Sequence, residues 1–374
     1  MFSPGETLKM VANNPLYRGT MESRVVAVNR TSMIVTMPSR DGKPVFLPVG
    51  TIVRVQRGDA ALEPPFQAEV LAREFKPVAL LTITLPQAIS RGGRSEPGGR
   101  GTRVIAVTSG KGGVGKTTLA INLAIALSRL QLRICLIDVD LGTANVDFLL
   151  RLNASYNLSH LLKGEKELKD IIVEGPEGLR IIPGAVGLAD LANLSDWQYT
   201  RLIHAFNQLE QECDLLILDT GAGIAANVTN FLVAADTVLV VTTPDPHAIL
   251  DAYALIKTLC SLKQNPNIKL IINRVESYEE ENQVKRNLLN SCRSFLQQPI
   301  EYLGWVTESA HVTRSIRDIT PFVISYPRSE AALCVAAIAR KLAAVKPEAE
   351  REKEKGLRRF IDDLFGLLKK SALP

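Results

Sequence analysis

Residues 110–118 read Gly-Lys-Gly-Gly-Val-Gly-Lys-Thr-Thr, between an apolar run, VIAVTS, and a helix-period stretch, TLAINLAIALSRL. The complete GxxxxGK[ST] spacing, in a strand–loop–helix context, constrains the fold more than any other feature of the chain. Gly110, Gly112, Gly113 and Gly115 let backbone N–H groups curl around phosphates, and the helix N-terminus adds partial positive charge. Lys116 is placed to reach the β- and γ-phosphates, and the Thr117 hydroxyl to ligate Mg²⁺. Lys111, Val114 and Thr118 complete the loop. A glycine-rich turn with incidental lysines would not require this full spacing.

The surrounding pattern agrees. Apolar runs (VIAVTS, RICLIDVD, LRIIPG, DLLILDT, TVLVVTTP, IKLIINRV) alternate with helical stretches over residues 103–346. Fully apolar strands separated by helices imply βαβ units and a doubly wound, mostly parallel α/β sheet covered on both faces. LIDVDLGTANVD puts Asp138 and Asp140 at the C-terminal end of a strand, where such sheets bind ligands. Two carboxylates on alternate positions could also be a solvated strand end. In DLLILDTGAGI, Asp219 follows four apolar residues, the position of a carboxylate that holds Mg²⁺ through water.

Residues 1–89 have a different texture. Short runs (SRVVAV, SMIVTM, PVFLPV, TIVRVQ, AEVLARE, VALLTITL) alternate with turn signals such as Asp41-Gly42, which predicts a small all-β barrel or sandwich. Residues 90–102, SRGGRSEPGGRGT, read as a flexible linker. Residues 347–374 are charged and then amphipathic. There Leu357, Phe360, Ile361, Leu364, Phe365 and Leu368 form one helical stripe, flanked by Lys355, Arg358, Arg359, Lys369 and Lys370. Such a helix suits an anionic lipid surface. Asp362 and Asp363 interrupt the basic flank, so a helix packed on the domain or on a partner stays open.

Composition narrows the class. The chain has 374 residues, 46% hydrophobic and 22% charged, which fits about two soluble domains. A net charge of +5 argues against nucleic-acid binding through bulk charge. The five cysteines stand without a CxxC pair, as buried thiols of a reducing cytoplasm do. The N-terminal residues lack the apolar core of a signal peptide, and no run of about 18 apolar residues spans a bilayer.

With a second lysine early in the loop, Lys111, the chain resembles the MinD/ParA family of deviant Walker A ATPases. The resemblance covers about 240 residues. It implies ATP as the nucleotide, Mg²⁺ as the metal, and a dimer in which Lys111 crosses to the partner's phosphates. It makes Lys111, Lys116 and Asp140 catalytic, with Asp140 orienting the attacking water. Asp138 lies near magnesium, Asn145 and Asp147 serve switch or dimer contacts, and Gly223 offers its N–H to the γ-phosphate. Asn273 and Arg274, in IINRV, resemble the family's adenine-contacting pair.

VVTTPDPHAILDAYALIK and EYLGWVTESAHVTRSIRDITPFVISYPRSEAA resemble the flagellar-number regulators of the FlhG/FleN/YlxH branch. This implies a cytoplasmic protein, peripheral at the inner membrane face, that cycles by ATP-dependent dimerisation and controls flagellar placement or number. A ParA-like ATPase binding DNA is the alternative, against which the modest charge and the tail count. The resemblance implies a flagellar partner, an FlhF-like GTPase or a motor or export component; no segment like the FlhF-activating one of that branch stands in residues 1–18, which counts against activation by that route. The N-terminal region, with MPSRDGKPVFLPVG and a closing LPQAISR, resembles the PilZN barrel of YcgR-type flagellar brake proteins. The RxxxR and DxSxxG that grip cyclic di-GMP in those proteins do not follow it, which points to protein docking and away from that ligand.

Overall fold

A computed structural model describes residues 2, 4–12, 17, 19–28, 32–47, 51–58, 66–74, 79–84, 102–140, 146–152, 154–184, 196–344 and 356–372. The chain divides into two compact units, residues 1–94 and 95–374. Of the linker expected at 90–102, residues 90–101 lie outside the described residues while Thr102 is buried, and the charged residues 347–355 lie outside them as well.

The N-terminal unit is an antiparallel sheet of β1 (Thr7–Ala12), β2 (Thr20–Val28), β3 (Ser32–Thr36), β4 (Ser39–Arg40), β5 (Lys43–Pro44), β6 (Ile52–Arg57), β7 (Phe66–Glu74) and β8 (Leu80–Thr84). Its order is β1-β6-β7-β8-β3-β2-β4-β5, and β1 also pairs with β2. Burial alternates along β1 to β3, as a sheet with one packed face requires. Met10, Met21 and Met33 fill that face with Leu8, Val35, Val55, Leu81 and Ile83. Among the described residues of PVFLPV, 44–47, expected as a strand, Pro44 alone lies in one. Proline cannot donate to a ladder, and the run carries Pro44 and Pro48.

The C-terminal unit is built on β9 (Arg103–Ser109), β10 (Ile134–Asp138), β11 (Val173–Glu174), β12 (Arg180–Ile182), β13 (Leu215–Ala222), β14 (Thr237–Thr242), β15 (Ile268–Val275) and β16 (Glu301–Thr307). Their order is β11-β12-β10-β13-β9-β14-β15-β16. All neighbours run parallel except β11 and β12, so the sheet is mixed at one edge. The helices are α1 (Lys116–Ser128), α2 (Val146–Leu149), α3 (Leu158–Leu162), α4 (Leu168–Ile171), α5 (Asp196–Glu212), α6 (Ala226–Ala234), α7 (Pro246–Leu262), α8 (Tyr278–Leu296), α9 (Ala310–Arg317), α10 (Phe322–Ser325), α11 (Glu330–Ala344) and α12 (Leu357–Ala372).

Alternate residues of β9 enter two separate cores. Val104 and Ala106 pack with α5, α6 and α7, while Ile105 and Val107 pack with α1 and α11. This explains why the strand is apolar throughout: neither face meets water. Strands β13 and β14 flank β9 while β10 lies one further out, so the chain reverses direction across the sheet at β9. That is the switch point at which open α/β sheets bind ligands.

Helix α12 lies against α5 and α6. Leu357, Phe360, Ile361, Leu364 and Leu368 are buried in the domain core, and Phe365 is half-buried with its ring 4.5 Å from that of Tyr199. The Tyr199 hydroxyl donates to the Asp362 carboxylate, and Glu210 Oε1 accepts from Leu357 N at 3.3 Å, capping the helix. The stripe assigned from its periodicity to a lipid surface therefore faces protein in this conformation. An apolar groove between α5 and α6 satisfies it as lipid would. Burying each such side chain stabilises by about 1.5–3 kcal/mol. Ordering each residue costs a similar amount, roughly 1–2 kcal/mol in backbone entropy.

Candidate functional site

The loop between β9 and α1 runs over the C-terminal edge of the sheet. Gly113 and Gly115 sit at φ +80° and +89°, where a side chain would be strained. Gly115 is the N-cap of α1 and no side chain caps that end, so its first N–H groups are available to an anion. Gly110 is required for a different reason: a Cβ there would lie 2.2 Å from the Asp251 backbone, where α7 presses against the loop. Gly112 is exposed and Val114 buried beneath the loop. Thr118 lies in the first turn of α1, half-buried.

Parallel register aligns Asp138 of β10 with Asp219 of β13, and Asp219 with Val107 of β9. Lys116 Nζ donates to Asp219 Oδ1 at 2.9 Å, and both side chains are buried. Burial pushes the Asp219 carboxyl up to about 6, against the opposing pull of Lys116 and a Thr117 hydrogen bond. Its other oxygen, Oδ2, is buried without a hydrogen-bond partner.

That orphaned oxygen beside the Thr117 hydroxyl is a fitting place for a hydrated Mg²⁺, which takes few protein oxygens and completes its shell with water and phosphate. Among the described residues no group of three or more His, Cys, Asp or Glu side chains could hold a metal by itself.

Asp138 is 1% exposed; its Oδ1 accepts from Asp140 N at 3.0 Å and its Oδ2 from Val146 N at 3.2 Å. It thereby ties together the two ends of residues 141–145, a segment outside the described residues that includes Asn145. Asp140 is half-buried, its Oδ1 3.6 Å from where a Cβ of Gly221 would stand. Asp147 opens the same region on α2. Burial first, and then the charge of Asp138, raises its carboxyl above the usual range. Gly223 has φ +96°, and its N–H donates to Ser109 O at 2.9 Å. The structure thus brings the loop, both strand-end aspartates, Asp219 and Gly223 to one edge, with the Gly223 N–H engaged by Ser109 O at the end of β9.

On the other side, Asn273 Nδ2 donates to Val114 O at 2.8 Å and would meet a Cβ on Gly115 at 2.5 Å. Arg274 stands at φ 57°, an unusual conformation for a non-glycine residue, with its guanidinium 3.9 Å from Glu308. Both sit at the end of β15, beside the loop.

Three residues escaped the sequence reading. Asp245 Oδ1 caps α7 by accepting from His247 N and Ala248 N, and its Oδ2 accepts from Lys111 Nζ at 3.1 Å. The Asp-Pro pair that opens α7 is a helix-start signal and was readable as such. Asn122 is buried on α1, donating to Thr118 O and accepting from Val323 N. Glu210, the cap of α12, carries no local signal.

A strand, a glycine-rich anion loop, an α-helix and a buried aspartate on the adjacent strand define a P-loop nucleoside triphosphatase. A family model described as an AAA domain matches residues 102–272, and one described as flagellar protein YcgR matches residues 3–86. The chain is 39% identical over 240 residues to antiactivator FleN of Pseudomonas aeruginosa, covering 64% of this chain and 86% of that protein. It is 37% identical over 218 residues to flagellum site-determining protein YlxH of Helicobacter pylori, covering 58% and 74%. The MinC:MinD cell division protein complex of Aquifex aeolicus matches it in structure with a TM-score of 0.53 at 26% identity, covering 67% of this chain and 100% of the other. The chain belongs to the MinD/ParA family of P-loop ATPases, with a YcgR-like N-terminal region.

Proposed function

We propose that this protein binds ATP with Mg²⁺, dimerises in that state, engages the membrane through α12, and regulates flagellar placement or number. The observation that carries this reading is the pairing of a loop bearing Lys111 with two regions that each match flagellar proteins.

The family resemblance assigns the roles, and the arrangement of the site supports them. Lys116, now paired with Asp219, would hold the β- and γ-phosphates, and Asp219 with the Thr117 hydroxyl would hold a hydrated Mg²⁺. Bound Mg²⁺ neutralises charge building on the phosphates. Asp140, beside Gly221, orients the attacking water, and Asp138 with Asp147 and Asn145 holds the loop that carries it. Gly223 gives up Ser109 O to donate to the γ-phosphate. Asn273 and Arg274 border the adenine. Lys111, on the exposed rim, reaches the partner's phosphates as an arginine finger does, with a lysine point charge. Cytoplasmic residence, peripheral to the inner membrane face, follows from such a cycle.

The N-terminal unit, whose pairing of β1 with both β2 and β6 supports a closed barrel, supplies a docking module for a flagellar motor, export or FlhF-like component. No helix among the described residues is long and apolar enough to cross a membrane. Lipid contact therefore requires α12 to leave its groove and turn its stripe outward. One such helix binds weakly, and a dimer carrying two binds through avidity.

Liposome co-sedimentation tests this with ATP and with ADP, for the full chain and for a chain ending at Lys355. Pelleting is expected for the full chain with ATP alone. Equal pelleting in all four cases contradicts the cycle.

A further inference from the structure

We propose that the C-terminal unit carries a second lipid contact beside its tail: an aromatic and basic patch on α3 and α5, centred on Trp197, that lies at the headgroup level of an anionic membrane. The inference rests on the reading that α12 leaves its groove for a lipid surface.

Trp197, in the first turn of α5, is 54% exposed, a large apolar ring left facing water. Its position is nonetheless built. The indole lies on the turn that follows α3, where a Cβ on Gly164 would stand 2.6 Å from it. Gly164 also has φ +77°, so this turn calls for glycine on both counts. The Arg201 guanidinium stands 5.3 Å from the indole centre. Arg201 is itself fixed, donating to Leu161 O and Lys166 O at 3.1 Å and to Glu167 Oε1 at 3.0 Å. Lys166 in turn holds its ammonium 4.0 Å over the ring of Tyr156, which is 36% exposed. Two cations thereby hold two aromatic rings at the surface, and each ring carries one polar atom.

Lys163 and Lys169 are exposed on the same stretch, and Glu165 adds one exposed carboxylate. Glu167 is paired with Arg201, and Asp170 Oδ2 accepts from Glu167 N at 3.0 Å, at the start of α4. Trp and Tyr flanked by Lys and Arg are the residues that settle at a bilayer interface, where the ring is apolar and its N–H or O–H stays wet. The place of the patch favours lipid over protein. Two residues along α5, Tyr199 holds α12 through its ring on Phe365 and its hydroxyl on Asp362. The patch therefore borders the groove of the tail, and the departure that frees the apolar stripe also uncovers Tyr199 beside Trp197. One short amphipathic helix binds lipid weakly, and rings on the same side of the domain add to it.

Trp197 and Trp305 are the two tryptophans of the chain, so Trp305→Phe leaves Trp197 as the single reporter. Its emission is read with Mg²⁺ and a non-hydrolysable ATP analogue on phosphatidylglycerol vesicles with plain or brominated acyl chains, and pelleting is measured in the same samples. Trp197 emission should shift to shorter wavelength on the plain vesicles and be quenched on the brominated ones. In the otherwise unaltered chain, Trp197→Ala should weaken vesicle binding by about fivefold, the worth of burying the exposed half of one ring. Trp197→Phe should restore part of that loss. A chain that pellets with its Trp197 emission unquenched overturns the patch and leaves the α12 cycle standing. So does a Trp197→Ala chain with a lower melting temperature and wild-type vesicle affinity, which makes the ring a packing element. A chain that pellets with neither kind of vesicle overturns the patch and the membrane cycle together.

Discussion

Lys116 and Asp219, 103 residues apart in sequence, form a buried ion pair of 2.9 Å at the centre of the sheet edge. Each holds the other where nucleotide and metal would otherwise hold them. Removing one partner of a buried pair costs about 3–5 kcal/mol, since the other charge is left uncompensated. Lys116→Ala is therefore expected to abolish ATP binding in a fluorescent-nucleotide titration. It also lowers the melting temperature of the nucleotide-free protein. Lost binding with an unchanged melting temperature would show that the pair carries no structural weight.

The raised Asp219 carboxyl makes metal use pH-dependent. Its folded value, about 6, lies above the ordinary carboxylate value, so the proton favours the nucleotide-free fold. That stabilisation is fully present below about pH 4 and is lost as pH rises through about 6. A divalent metal needs the charged form, so the Mg²⁺-dependent gain in nucleotide affinity should grow between pH 5 and pH 7. The nucleotide's own phosphates titrate near pH ~6 as well. The comparison is thus between wild type and Asp219→Asn, in which the gain should be small and flat. Parallel pH profiles for the two proteins would reject this role.

At Gly110 the constraint is steric. A Cβ would stand 2.2 Å from the Asp251 backbone, which cannot rotate away as a side chain tip does. Gly110→Ala should separate the loop from α7 and weaken nucleotide binding by about a hundredfold, roughly 2.8 kcal/mol at 1.4 per decade. Gly112→Ala, with nothing within 4 Å of its Cβ, should weaken it far less. Equal effects in a binding titration would contradict the packing argument.

Asn122 links α1 to α10 from the back of the loop helix. Replacing it with alanine leaves the Val323 N–H buried and unpaired, a cost of about 1–3 kcal/mol. The expected outcome is a melting temperature lower by about 2–4 °C per kcal/mol in a domain of this size. Nucleotide affinity should fall less than stability does, because Asn122 reaches the loop only through Thr118 O.

Tyr199→Phe removes the hydrogen bond to Asp362 while keeping the ring against Phe365. Hydrogen exchange across residues 357–372 should quicken, with little change elsewhere in the unit. Unchanged exchange there would mean that apolar burial alone sets the docking of α12.

The phosphate loop and the aspartates were legible because their chemistry is written in local spacing: a loop, a strand end, an apolar run closing on a carboxylate. Strands β9, β10, β12, β13, β14 and β15 followed from the same alternation, but the two-residue β11 leaves no period, and the edge strand β16 is only partly buried and carries no fully apolar run. In the N-terminal unit β1 was overlooked, although TLKMVA alternates as β2 does, and PVFLPV misled because apolarity was weighed above its prolines. Asp245 could be recognised as a helix cap, but not as the partner of Lys111, from which 134 residues separate it. The tail marks the limit most clearly. Its stripe specifies a helix with one apolar face, and a lipid surface and a groove between α5 and α6 satisfy that pattern equally.

The central claim is that ATP makes a dimer through Lys111, and sedimentation velocity tests it most directly. With Mg²⁺ and a non-hydrolysable ATP analogue the wild-type chain should sediment as a dimer, and with ADP as a monomer. Lys111→Ala should remain a monomer in both, and Asp140→Ala should dimerise in ATP without turnover. A wild-type chain with the same mass in ATP and ADP, or a Lys111→Ala chain that dimerises as wild type does, would contradict the account.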